Sequence, residues 1–371
     1  MFTSQIDPRG LFTFPEADLP IVVKHGCERV IGKVSSTAMC LASPVWKKFI
    51  KPPFGHLGPA RTEVAEIESF KAAALGGQES DTIGESQLDF QDDNSEALPL
   101  LLRIAHFQFV TVTSTLTYHM LLSIAVLVDQ YDCVELVHPW IRIWVANENV
   151  ESLKPDQESW LFIAWVFGSE EVFQTLATSL VRSTDLQNKP KLMNSTMPPS
   201  IIESIFEVLK QEISKILEVP YNLAEKLQSM FMRRKLTTQE SGHHYSTPET
   251  ECHENEQDCD DLFYGSLMLN LTWAHLWPKK RADEIHISAK ALAEELTELR
   301  ISHLTADGWS HESCPPKTHI KYGISNILAT NPPTPVLDSH ILHIKTQHKR
   351  LNPSYEVPLL DKNPSSIITQ A

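Results

Sequence analysis

Two stretches, Val34–Phe49 (VSSTAMCLASPVWKKF) and Ala125–Trp144 (AVLVDQYDCVELVHPWIRIW), constrain the fold of this chain more than any other feature. In the first, a short strand exit runs into a helical pair, with Val34, Met39, Leu41, Val45, Trp46 and Phe49 as the apolar set. In the second, one helix stops at Tyr131 and another restarts at Asp132. Leu127, Val128, Val134, Val137, Ile141 and Trp144 fall on its inward face. Asp132 and Glu135 stand at capping-box spacing, which gives a physical reason for the restart.

The segments around these two stretches extend the pattern. Asp18–Lys24 and Arg29–Val34 read as strands about the turn His25-Gly26-Cys27, where Gly26 tolerates a positive φ. Ser35 or Ser36 can cap the next helix, and Ser43-Pro44 opens the one after it. Leu88–Phe90 is a predicted third strand, followed by a helix over Ser95–Phe107 and another from Thr117 to Tyr131. Trp160–Phe167 and Glu170–Arg182 pair across Gly168, a helix stop. Ile201–Lys235 is long and amphipathic, with a kink or break expected at Pro220 because proline cannot donate the helical hydrogen bond. Helical spacing returns at Phe263, Leu267 and Leu271, at Leu292, Leu296 and Leu299, and at Ile320, Ile324 and Ile327.

Between these elements lie two acidic segments. Glu63–Glu96 carries ten acids against one base, and Gln239–Asp261 carries eight acids with no lysine or arginine. Both read as solvated, although Glu63–Leu75 has helical spacing at Val64, Ile67 and Phe70. The resulting division is an N-terminal arm over 1–17, a domain over 18–147 with an acidic insertion at about 55–87, and a helical extension over 148–236. A second helical region covers 237–330, and a proline-bearing tail over 331–371 is expected to be disordered. The fold class is α+β: a small sheet covered by helices, then an all-α extension.

Several function classes are excluded by what the chain lacks. A net charge of −15 argues against nucleic acid or an anionic membrane as the direct partner. The longest apolar run, Leu121–Val128, is far short of a membrane span, and no basic-then-apolar leader opens the chain. Six cysteines are too sparse for a secreted disulfide scaffold, so an intracellular protein of cytoplasm or nucleus is expected. There is no G-x-S-x-G, no phosphate-cradling glycine loop and no H-E-x-x-H, so no enzyme is expected. Arg233-Arg234-Lys235 and Lys279-Lys280-Arg281 could be nuclear-localisation signals, but three-residue basic runs usually close helices.

In order along the chain, Val34-Ser35-Ser36, Ala42-Ser43-Pro44-Val45, Asp129-Gln130-Tyr131-Asp132-Cys133, Pro139-Trp140 and Trp165-Val166-Phe167-Gly168 resemble the motif runs of BTB/POZ domains, above all those of filamentous fungi. The resemblance covers about 150 residues and implies a BTB/POZ fold and a protein–protein interaction module that binds or presents a partner protein. It also raises two narrower functions, substrate adaptor of a cullin-type ubiquitin ligase and nuclear transcription cofactor. Two features depart from it. Lys33-Val34-Ser35 replaces the histidine-plus-basic pair of many members. Phe107–Leu116 (FQFVTVTSTL) lacks the glutamate of the apolar-x-Glu motif that cullin-recruiting members carry. Many BTB domains dimerise through an N-terminal strand. Leu11–Pro15 is apolar but short, so a monomer or weak homodimer is expected.

Metal-ligand character is confined to Cys252-x6-Cys259 and His311-x2-Cys314, which could hold one structural zinc if the intervening helices fold back on each other. The fungal relatives look similar here. His243, His244 and His253 are near enough in sequence to substitute. The competing reading makes Cys259 and Cys314 small buried hydrophobes and His311 a loop residue.

Overall fold

Gly26, at φ +63°, and Cys27 close a two-residue turn between β1 (Leu19–His25) and β2 (Glu28–Val34), which pair antiparallel from Leu19↔Val34 to His25↔Glu28. In this computed structural model, residues 8–52, 87–154, 157–193, 195–240, 251–252, 257–302, 304–306, 309–310 and 315–353 are described. The described chain is mixed α/β and mostly helical. It divides into two compact units. The first contains 1–148, 163–169 and 342–371, and the second contains 149–162 and 170–341.

In the first unit β3 (Leu88–Phe90) pairs parallel with Ile21–Val23, giving the sheet order β2-β1-β3. Ile21, Val22 and Val23 are all buried, so the central strand is covered on both faces and reads as a continuous apolar run. Thr13 bridges to Lys33, and Lys33 exchanges hydrogen bonds with Phe12 and Phe14 of the arm. Phe12 and Phe14 are buried, and a Cβ on Gly32 would lie 2.3 Å from Phe12 O. The Leu11–Pro15 segment, a candidate for self-association in the sequence, therefore spends its apolar side chains on its own chain's sheet.

Helices of seven residues or more follow the predicted order. They are α1 (Ser36–Ala42), α2 (Pro44–Ile50), α3 (Ala97–Ala105), α4 (Tyr118–Gln130) and α5 (His138–Trp144). Ser35, Ser43 and Thr117 accept the N-terminal amides of α1, α2 and α4. The inward residues of the second motif stretch are all buried, and so are Val34, Met39 and Trp46 of the first. Leu41 and Phe49 are not. They are 78% and 58% exposed, because two seven-residue helices present too narrow a face to bury every apolar position. Residues 53–86, including the expected Glu63–Leu75 helix, lie outside the described set.

The restart after Tyr131 differs from the capping-box expectation. Asp132 has φ +47°, the chain passes through a 3-10 turn at Val134–Val137, and neither carboxylate caps a helix. Both instead take Arg350 from the C-terminal region. Arg350 Nε and Nη2 donate to the two Glu135 oxygens at 2.6 and 2.8 Å, and Nη1 donates to Asp132 Oδ1 at 2.7 Å.

In the second unit, α8 (Pro199–Glu240) is unbroken, and α7 (Glu170–Ser183), α9 (Gln257–Trp273), α10 (Ala289–Thr297) and α11 (Pro315–Ala329) pack along it. α6 (Trp160–Phe167) precedes them in the chain. The expected break at Pro220 does not occur. Ile213, Ile216, Leu217, Leu223, Ala224 and Leu227 are buried on either side of it, and that packing outweighs one missing hydrogen bond. Arg182 pairs with the buried Glu212 and donates to the carbonyls of Ile327, Leu328 and Thr330, closing the C-terminal end of α11.

Two expectations of irregular structure are corrected in part. In Gln239–Asp261, read as solvated, Cys252 is buried and α9 starts at Gln257, while 241–250 and 253–256 lie outside the described residues. The tail is not uniformly irregular, because Asp338–Leu351 forms α12. In the first unit, Ile344 and Leu351 of α12 are buried, His343 stacks on Trp165 at 3.8 Å, and Gly168, at φ +72°, lies against the His348 backbone. Prolines flank this segment without entering it, and its burial lies at only a few positions, so composition alone hid it.

Candidate interaction surface

The motif runs of the sequence meet in the first unit and act as joints. Ser43 Oγ donates to Tyr131 O at 2.6 Å while accepting the amides of Val45 and Trp46, so one buried hydroxyl fixes both the start of α2 and the end of α4. Trp46, Phe90 and Tyr131 pack ring on ring, with Trp46 and Tyr131 centroids 5.0 Å apart. The Tyr131 hydroxyl donates to Asp93. Burial, then that hydrogen bond, pushes the phenol far above its ordinary value, so it stays protonated.

Ser35 N donates to His106 Nε2 at 2.9 Å, which requires that nitrogen to be unprotonated, and Nδ1 then donates to Leu102 O at 2.8 Å. The ring is stacked on Phe14 at 4.1 Å. Burial holds its pKa below the ordinary 6.5, against the raising effect of the Leu102 hydrogen bond. These groups join segments distant in sequence and hold the fold together.

A different set of residues is exposed. α3 ends in a six-residue closure: Gln108 N donates to Arg103 O, and Phe107 N donates to Ile104 O. Phe107 occupies the left-handed position of that closure, φ +61°, where glycine is the usual residue. Its side chain is 69% exposed. Phe109 and Val110 follow in a 3-10 turn, also exposed, with Val110 fully in solvent. The rings continue onto α5: Phe107 to Phe109 at 6.0 Å, Phe109 to Trp140 at 5.4 Å, and Trp140 to Trp144 at 6.3 Å. Trp144 is buried and anchors the row by donating from Nε1 to Thr113 O. Ile143, three residues beyond Trp140, is exposed as well. The row is an aromatic strip, rigid at one end and open to solvent at the other. Sequence reasoning missed it because an apolar residue closing a helix reads as core.

Of the four candidate metal ligands, Cys252 and Cys259 come together as a buried pair packed on Leu304. His311 and Cys314, with the alternates His243, His244 and His253, lie outside the described residues. Thr305–Ala306 and Trp309–Ser310 form a two-stranded hairpin that ends at the residue before His311. Next to Cys259, the buried Asp260 has one carboxylate oxygen without a hydrogen-bond partner, and burial raises its pKa. Among the described residues no three His, Cys, Asp or Glu side chains converge as a metal ion requires.

The two basic runs are used within the fold. Arg234 pairs with Asp260 and Asp261, Lys279 with Glu225, Lys280 with Glu284, and Arg281 with Asp283. Among the described residues no helix is long and apolar enough to cross a membrane. No family model, curated protein or solved structure matches the chain.

Proposed function

We propose that this chain is a non-enzymatic protein-recognition module of the BTB/POZ type, and that Phe107, Phe109, Val110, Trp140 and Ile143 form its contact surface. The observation that carries the reading is Phe107. A non-glycine residue in the left-handed region costs about 1 kcal/mol, and here the strain places a large apolar ring in water. Neither folding nor solubility gains from that arrangement, whereas a partner that covers the rings does. The BTB-type assignment is supported by the strand–strand–helix–helix–strand–helix order and by the meeting of the Ser43 and Tyr131 motif runs.

A narrower reading, substrate adaptor of a cullin-type ubiquitin ligase, rests on the BTB/POZ resemblance, and the missing glutamate in Phe107–Leu116 counts against it. The Phe107–Val110 turn precedes the Thr117-capped helix, where cullin-recruiting BTB proteins carry their apolar-x-Glu motif. Affinity purification of the tagged chain beside a Phe109→Asp/Val110→Asp variant tests both readings. Proteins held by the natural chain and lost from the variant support the surface, and a cullin scaffold among them selects the adaptor. Identical proteins on both overturn it.

In the second unit, Cys252, Cys259, His311 and Cys314 remain the proposed ligands of one structural zinc. The buried thiol pair fits that metal, whose contribution there is stability.

A further inference from the structure

Where α7 ends, the second unit holds a cavity of about 220 Å³. Its floor is apolar, made by Leu180 in the last turn of α7, Met197 ahead of α8, and Leu192 of the short helix Lys189–Met193. Thr184, the residue after α7, lines it as well. Thr184 is only 7% exposed. Its amide bonds to Leu180 O, while its hydroxyl meets no hydrogen-bond partner among the described residues. A buried hydroxyl left in that position costs free energy until something in the cavity bonds to it. Two exposed side chains of opposite charge, Glu158 and Lys191, stand at the rim. Neither forms an ion pair with a described residue, and they line one cavity without pairing with each other.

We propose that this cavity binds a free α-amino acid with an aliphatic side chain. Size limits the ligand first. A cavity of about 220 Å³ falls below the roughly 300–1,000 Å³ of sites for drug-sized molecules, which leaves room for a small metabolite. Charge then selects a zwitterion, because a sugar or polyol would satisfy Thr184 and leave both rim charges unmatched. The ligand's ammonium donates to the Glu158 carboxylate and to Thr184 Oγ1. The end of α7 favours a cation at that place, since the C-terminus of a helix carries partial negative charge. The ligand's carboxylate accepts from Lys191 Nζ. Leu180, Leu192 and Met197 receive the aliphatic side chain, and the burial of its apolar surface favours binding.

Saturation-transfer NMR of the full chain tests this with L-leucine as probe, beside N-acetyl-L-leucine, L-leucine methyl ester and glycerol. L-leucine should give a saturable signal, and the acetylated and esterified forms, each lacking one charge, should bind roughly tenfold more weakly. Thr184→Val keeps the side-chain shape and removes the hydroxyl, so it should weaken L-leucine by roughly tenfold. Glu158 and Lys191 are exposed, and their neutral variants should keep the natural circular dichroism. Glu158→Gln should then lose the preference for L-leucine over the acetylated form, and Lys191→Met the preference over the ester. These two variants decide the matter even where Thr184→Val fails to fold. No saturable signal from L-leucine, glycerol or the derivatives binding equally well, or variants that keep both preferences would overturn the assignment.

Discussion

At Phe107 the backbone and the side chain make opposite demands. The α3 closure needs a left-handed residue, which glycine provides at least cost, and a phenyl ring there is both strained and solvated. His106, its neighbour, is bound to the fold by both ring nitrogens, and that has a pH consequence. The folded chain holds His106 below its ordinary 6.5, so the unfolded chain takes up the proton first. Stability contributed by the neutral ring is complete above about 6.5 and is lost as pH falls below it. Urea unfolding of the natural chain and of His106→Gln should show it: between pH 7 and pH 5 the natural chain loses more stability than the variant. Equal slopes would mean that the Ser35–His106 bond survives protonation, against the donor geometry.

Among the elements, the legible ones were those whose burial repeats along one face. The β1–β2 hairpin, the α1–α2 pair, α4 and the helices carrying Phe263, Leu292 and Ile320 have local signals: an apolar period, a capping serine or threonine, a turn glycine. The illegible features rest on long-range partners. Asp132 and Glu135 look like a helix cap because capping is local, yet their partner Arg350 lies more than two hundred residues away. Burial pushes Glu135 up, and the Arg350 hydrogen bonds and charge more than offset this, holding it below the usual carboxylate range. α12 was missed for the same reason. Gly168 was read as a helix stop, and it also admits the His348 backbone. Gly168→Ala should therefore destabilise the chain by roughly 2–4 kcal/mol, from a strained φ and a Cβ 2.4 Å from His348 N. A melting temperature close to that of the natural chain would contradict the docking of α12. For the metal pair, purified chain should carry about one zinc, and Cys259→Ser should lose it and loosen the α9 region. Metal-free chain whose melting is unchanged by chelator would return the cysteines to ordinary packing.

On the scale of the whole molecule, the apolar surface left in water is concentrated where a helix end or a helix face points outward, and the titratable groups with perturbed pKa serve as joints. Tyr131, His106 and Glu135 each close a hydrogen bond between segments distant in sequence. That division underlies the proposed recognition reading, in which polar joints hold the segments together and the exposed rings are left for a partner. The strained ring at Phe107 tests it most directly. Phe107→Gly relieves the left-handed strain, so chemical denaturation should find the variant more stable by about 1 kcal/mol. The same variant, used as bait, should hold its captured partners more weakly than the natural chain. A variant that is less stable yet binds as well would place Phe107 among the folding residues and contradict the proposed surface.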